Sequence, residues 1–455
     1  GDKEGGSVER KDDFTQGAIL PALTRFALPV LLALFLQAMY GAVDLQVVGN
    51  FGTAADISAV STGSQILQTI TMVICGLAMG VTVLLGQRIG EGRGDEGGRA
   101  VGAGIFFFAL LSVLVTVGML VLAPQMSELM RAPEEAFAGT VEYVRICSVG
   151  MLFIVAYNLF SAIFRGLGDS RSPLLFVLVA CIVNIVGDLV LVAGFGLDAA
   201  GAALATVLAQ AVSVVCALVM LRRKDLSFTV RRADVRLNPQ CRKFLSIGLP
   251  LALQEFLTQF SFLALCAFVN RLGLEASSGY GVACKIVNFA MLIPSALMQS
   301  MASFVAQNVG AGNQRRAKQS MYTGLGIGLV IGCAVFALVF WKGDVLAGLF
   351  TKNAAVVANA FAYLKGFAPE TIGTAILFTM LGYFNGNNQT VFTMAQGIIQ
   401  TLLVRLPLAY YMSIQPNANL TNIGIAAPVS TGVGVLLCVG FYVWWNRKLA
   451  KQAQL

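Results

Sequence analysis

Residues 29–44 read PVLLALFLQAMYGAVD, almost unbroken hydrocarbon from Pro29 to Asp44. An aspartate in the middle of a bilayer-spanning helix costs about 2.5–3.5 kcal/mol on insertion scales. On a helical repeat Gln37, Tyr40 and Asp44 fall on one face, at −7, −4 and 0. That face can turn away from lipid toward a polar interior, leaving the apolar remainder to the bilayer. An acid bound to a neighbouring helix for packing alone is the blander reading, but intramembrane acids are functional by default. Pro29 interrupts the backbone hydrogen bonds of the same helix and marks a bend site four turns before the acid.

The rest of the chain has the same character. Of 455 residues 57% are hydrophobic and 12% charged, against about 25% charged in soluble domains, and the mean hydropathy is +0.77. The composition specifies an all-α polytopic membrane protein. Twelve transmembrane helices are expected near 24–48, 58–86, 100–123, 141–164, 174–195, 199–221, 244–270, 280–306, 320–341, 357–382, 391–413 and 423–445. They divide the chain into a tail (1–15), a first lobe of six spans (16–221), a basic linker (222–243), a second lobe (244–446) and a tail (447–455). With the N-terminus inside, the cytoplasmic segments and their flanks hold 23 of the 31 Lys/Arg. The positive-inside rule then places both termini in the cytoplasm, in a multi-pass protein of the cell membrane. The Arg222–Lys243 segment, with eight basic residues, reads as an anchor on anionic lipid, so no nucleic-acid partner is expected. No stretch of the given chain reads as a cleaved signal peptide.

Several classes of function are disfavoured. The chain has no histidine, so any proton coupling falls to carboxylates. Its nine cysteines lie mostly within apolar runs and form no CxxC pairs, which suits small buried hydrophobes better than a disulfide framework or a metal site. There is no GxxxxGK[ST] phosphate loop. Without a metal cluster or a nucleophile–base pair the chain does not read as an enzyme, and no resident cofactor is expected.

The two halves repeat. RFALPVLLALFLQAMYGAVDLQVVGNFG (25–52) aligns with SIGLPLALQEFLTQFSFLALCAFVNRLG (246–273), which places Pro29 on Pro250, Gly52 on Gly273 and Asp44 on Leu265. GQRIGEG (86–92) matches AQNVGAG (306–312), and FRGLGDSRSP (164–173) matches YFNGN more loosely, with Gly168 on Gly386. Six spans return the chain to its starting side, so the two bundles are parallel repeats about an axis along the membrane normal. Such lobes facing a central cleft suit a rocking carrier. Because Leu265 replaces the acid in the second half, ion chemistry is expected in the first.

Span 5 places Asn184 and Asp188 one turn apart, span 6 carries Thr206, Gln210 and Ser213, and span 4 adds Tyr157, Asn158 and Ser161. If these faces turn toward Asp44, two carboxylates share one pocket of low dielectric. They cannot both ionise cheaply without a proton or a cation between them. Either outcome is ion coupling, by H⁺ or by an oxygen-ligated Na⁺. In the second lobe Glu255 and Gln259 share a face of span 7, Asn288 lies on span 8, and Arg405 is the one base deep in a span. Pairing with Glu255 or Glu370 would neutralise that arginine.

The motifs LPV…QAMYGAVDLQVVGNFG, GQRIGEG, FRGLGDSRSP, NIVGDLVLVAGFGLDAAGAALAT and AQNVGAG, in this order along nearly the whole chain, resemble the multidrug and toxic compound extrusion (MATE) family, in its DinF-like branch. The resemblance implies secondary export of amphipathic organic cations or drugs in exchange for H⁺ or Na⁺, by a monomer in the lipid bilayer. It also implies a cation site in the first lobe at Asp44, Asn184, Asp188 and Thr206, with Gln37, Tyr40, Tyr157, Asn158, Ser161 and Gln210 lining the substrate cavity and Pro29 as the bending residue. Other branches place a functional Glu later in span 7, where this chain has Thr258, and Glu255, a turn earlier, does not inherit the role. Two alternatives are weaker. A major-facilitator-type carrier usually carries a D-R-x-G-R motif after span 2, which QRIGEGRGDEGG fits poorly. A flippase for a lipid-linked precursor would line its cavity with several bases.

Overall fold

A computed structural model describes residues 14–224, 226 and 228–455, so the expected tail 1–15 lies outside the described residues except for Phe14 and Thr15. Among the described residues twelve helical spans follow one another. Ten are long and apolar enough to cross a bilayer: spans 1 (Ile19–Phe51), 2 (Ala54–Gly90), 3 (Gly94–Leu129), 5 (Arg171–Gly194), 6 (Asp198–Arg223), 7 (Pro239–Asn270), 8 (Leu274–Gly310), 9 (Gln314–Gly348), 11 (Thr390–Ser413) and 12 (Leu420–Ala453). Span 4 comprises Glu134–Val149 and Met151–Gly166, bent by 57°. At that bend a side chain on Gly150 would run into Val207 of span 6. Span 10 is Ala354–Phe367 followed by Glu370–Gly386, interrupted at Pro369. Span 1 continues as helix through Pro29.

Local chemistry sets the starts of the helices. Thr53 and Asp56 form a capping box at span 2, and Asn238, Asn313, Asn353 and Asn419 each accept from the first turn of their helices. Such caps contribute about 1 kcal/mol each. Asn238 is followed by Pro239 at the first helical position, where a missing N–H costs nothing. The basic linker therefore ends five residues before its expected limit.

The lobes are joined at one end and separate at the other. At the end away from the termini one core draws only on spans 1–6, around Val48, Val60, Tyr143 and Ala203. Another there draws only on spans 7–12, around Val269, Tyr280, Leu364 and Ile423. At the end carrying the termini both cores are mixed. Phe244, Ile247 and Ala252 of span 7 are buried in the first-lobe core, while Phe14 and Leu23, Phe26 and Val30 of span 1 are buried in the second-lobe core. The first helix of each half thus crosses into the other. Phe14 stacks on Phe304 at 4.8 Å, and its carbonyl accepts from Asn308 (3.2 Å) and from Arg316 (2.8 Å), which also binds Gln16 and Gly17 O.

Between the mixed cores the repeated motifs meet with a constant offset of 220 residues. Gln87 donates to Gly386 O (3.0 Å), and Gln307 donates to Gly166 O (3.4 Å). A side chain on Gly90 would collide with Gln307 O, and one on Gly310 with Gln87 O. Gly92 and Gly312 turn the chain at φ of 74° and 75°, and Gly168 and Asn388 do so at 84° and 64°. These contacts correct the alignment of the third motif: Gly166, not Gly168, corresponds to Gly386, and Gly168 corresponds to Asn388. The shared feature there is a left-handed turn, which glycine and asparagine both tolerate.

The crossing predicts matched sensitivity. Gly90→Val and Gly310→Val should each lower stability by about 1–3 kcal/mol, the cost of overpacking against backbone, read as a lower midpoint of thermal unfolding in detergent. Gly118→Ala, where a side chain meets open space, should leave the midpoint unchanged or raise it.

Candidate ion and substrate sites

Span 1 carries Asp44 into the first lobe, where the side chain is 6% exposed. Asn184 Nδ2 donates to one carboxylate oxygen at 2.6 Å, and Thr206 Oγ1 lies 3.5 Å from the other. Asp188, fully buried, comes within hydrogen-bonding reach of Asp44. As carboxylates neither acid can donate, and both oxygens of Asp188, with Asn184 Oδ1, have no partner. Buried acceptors left in this way cost about 1–3 kcal/mol each. Asp44 thus gathers Asn184, Thr206 and Asp188 around it, a set of oxygen-bearing groups that suits a proton shared between the acids or a small oxygen-ligated cation. Immediately after Asp188 the helix widens into a π segment, Leu189–Gly194, a feature often found at functional sites.

The expected cavity residues form a second group. Gln37 donates to the Tyr157 hydroxyl (3.0 Å), and Gln210 to that of Tyr40 (3.4 Å). Asn158 accepts from Cys75 Sγ (3.2 Å) and donates to Ile154 O. Ser161 is buried beside Tyr157.

In the second lobe Arg405 pairs with Glu370 (3.6 Å) and donates to Ser430 (3.2 Å), while Thr431 donates to the same Glu370 oxygen (2.6 Å). Gln400 donates to Thr431 (3.2 Å) and extends the network. Of the two acids considered for Arg405, Glu370 is therefore its partner. A second π segment, Ile399–Arg405, places the arginine there, and Pro407 shortly beyond has no N–H to donate. Glu255 and Gln259 are half-buried and Asn288 is exposed, so these three do not join the buried network.

Sequence reading missed three contributors. Tyr143 stands beside Thr206 with its ring over Gly63, where a side chain would collide with it. Cys75 binds Asn158 from span 2. Arg165 lies four residues after Ser161 and seven after Asn158, on the same helical face. That spacing was the available signal, obscured because the residue was counted among the charges flanking a span.

Twelve spans in two repeated lobes, with paired acids buried in one of them, suit a polytopic membrane transporter. The MatE family model matches residues 29–190 and again 250–411, each match starting at one of the paired prolines, and the chain belongs to that family. It is 28% identical over 404 residues to the probable multidrug resistance protein YpnP of Bacillus subtilis (strain 168), covering 88% of this chain and 90% of that one. To the probable multidrug resistance protein YoeA of the same organism it is 25% identical over 445 residues, covering 95% and 96%. A solved structure described as the outward-facing conformation of a multidrug resistance MATE family transporter superposes with a TM-score of 0.90 at 20% identity, covering 97% and 98%.

The ion pair of the second lobe can be tested without transport. Arg405→Met leaves the Glu370 charge buried and should lower stability by about 3–5 kcal/mol, seen as a lower unfolding midpoint. Adding Glu370→Gln should recover most of the loss.

Proposed function

We propose that this protein exports amphipathic organic cations across the cell membrane in exchange for H⁺ or Na⁺, in keeping with the multidrug resistance names of its relatives. The end that carries the termini faces the cytoplasm, and the chain works as a monomer. The coupling ion binds at Asp44, Asn184, Asp188 and Thr206. The observation that carries this reading is the Asp188 carboxylate, buried with both oxygens unpartnered beside a second acid. Glu370 in the second lobe has an arginine against it, whereas both oxygens of Asp188 stand without a partner beside another acid, which suits an ion site.

Tyr40 and Gln210, bonded to each other, lie next to the acids, so cargo and ion compete for one charged wall. With the acids ionised, the first lobe attracts an organic cation, and aromatic faces add about 0.5–2 kcal/mol each. Binding of a proton or Na⁺ removes that attraction and lets span 1 repack around Asp44, which expels the cargo. Affinities for ion and cargo then fall reciprocally. Pro29, in the half of span 1 that packs on the second lobe, lets the helix bend as the lobes rock.

The test uses proteoliposomes and a fluorescent organic cation under imposed pH or Na⁺ gradients. Asp44→Asn should abolish gradient-driven transport while the protein still folds and inserts. Pro29→Ala should slow turnover with cargo binding retained. Normal gradient-driven transport by Asp44→Asn would make the acid a packing residue and remove the proposed coupling.

A further inference from the structure

The floor of the cleft holds a cation that the ion site does not use. Arg165 is half-buried in the last turn of span 4, beside Gly166, whose carbonyl takes the Gln307 contact between the lobes. Its Nε is buried with no hydrogen-bond partner, and it makes no ion pair among the described residues. A buried guanidinium nitrogen left this way is costly, since the group has no means of neutralising itself. The acid nearest in sequence is already engaged. Burial acts to raise Asp169, but Ser172 (2.5 Å) and Lys224 (3.0 Å) outweigh it and hold the carboxyl below its usual range.

The neighbours of Arg165 belong to the cavity. It acts electrostatically on Tyr157 and Cys75, and Cys75, though enclosed among helices, retains an exposed surface. The adjoining Gly76 packs on the backbone of Leu251 and Ala252 of span 7, so Cys75 stands where span 2 meets the second lobe. Glu255 of the second lobe acts on the same Cys75 and also makes no ion pair among the described residues. The two opposite charges face one cleft without contacting each other. The repeat shows that the fold does not need a base at this place. At the offset of 220 the counterpart of Arg165 is Asn385, buried and bonded by Thr393 at 2.9 Å.

We infer that Arg165 is the subsite for the acidic group of the transported molecule, and that the preferred cargo is a zwitterionic amphiphile whose carboxylate meets Arg165 while its cationic part lies toward Glu255 and Tyr157. This rests on the export reading above and narrows its substrate class. A guanidinium fork accepts a carboxylate through two parallel hydrogen bonds, which supplies a partner that the protein itself withholds. The missing partner is the cargo.

The probes are rhodamine B, a delocalised cation bearing one carboxylate, and its ethyl ester, which lacks the acid. Equilibrium binding to the purified full chain in detergent is read by fluorescence anisotropy and needs no ion gradient. Wild type should bind the acid more tightly than the ester. Arg165→Gln should weaken binding of the acid by about tenfold or more, the scale of a lost charge-assisted bond, and leave the ester unchanged. The unchanged ester also reports an intact fold. Arg165→Lys should retain part of the preference. Equal losses for both dyes, no loss for either, or a wild type that binds neither would overturn the subsite. Gradient-driven transport of the ester with no acid preference removes the subsite and keeps the exporter. An Arg165-dependent preference without gradient-driven transport does the reverse.

Discussion

Backbone-to-backbone contact between spans 2 and 8 is the constraint on which the rest of the molecule depends. Gly90 lies on Gln307 O and Gly310 on Gln87 O, too close for any side chain. In a bilayer no hydrophobic effect drives helices together, so close packing and hydrogen bonds must do so. One glycine and one glutamine from each half, Gly90 with Gln87 and Gly310 with Gln307, join the lobes at one end. With the lobes held there, the separate cores at the far end have no need to touch. The cleft and the residues lining it follow from that one-sided closure.

Charge inside the lobes follows a division of labour. The second lobe sets a base against its buried acid, with Arg405 and Thr431 on one oxygen of Glu370. The first lobe does not: Asp188 keeps unpartnered oxygens, and Arg165 keeps an unpartnered nitrogen. Glu370 of one lobe has a cation beside it, whereas Asp188 of the other has only a second acid. The asymmetry is all the clearer because the backbones match at a constant offset.

Much of this was legible in the sequence because polar residues in apolar helices are conspicuous. Asp44, Asn184 and Thr206 stood out at helical spacing, and the structure brings them into contact. Arg165 was hidden by its position, since an arginine at the end of a span looks like any topology signal. The π segments after Asp188 and before Pro407 were not visible, because widening a helix by one residue per turn leaves hydropathy unchanged. The third repeat motif was misregistered because glycine was matched to glycine, whereas the fold conserves a left-handed turn that Asn388 also adopts. Nor can periodicity tell which lobe an apolar face will meet. Leu23 and Phe26 read as generic span 1 residues and pack on the other half of the chain.

That last exchange bears on how the molecule is made. Phe14 and the first turns of span 1 leave the ribosome well before Asn308, which binds the Phe14 carbonyl and lies 294 residues later. At about 5–20 residues per second the partner arrives roughly 15–60 seconds afterwards. Through that interval the first half can complete its own far-end core but not the end at which the lobes join. Leu23, Phe26 and Val30 wait against lipid, where they are as comfortable as in protein. The bilayer thus acts as a holding solvent for a helix whose final neighbours have not yet been synthesised.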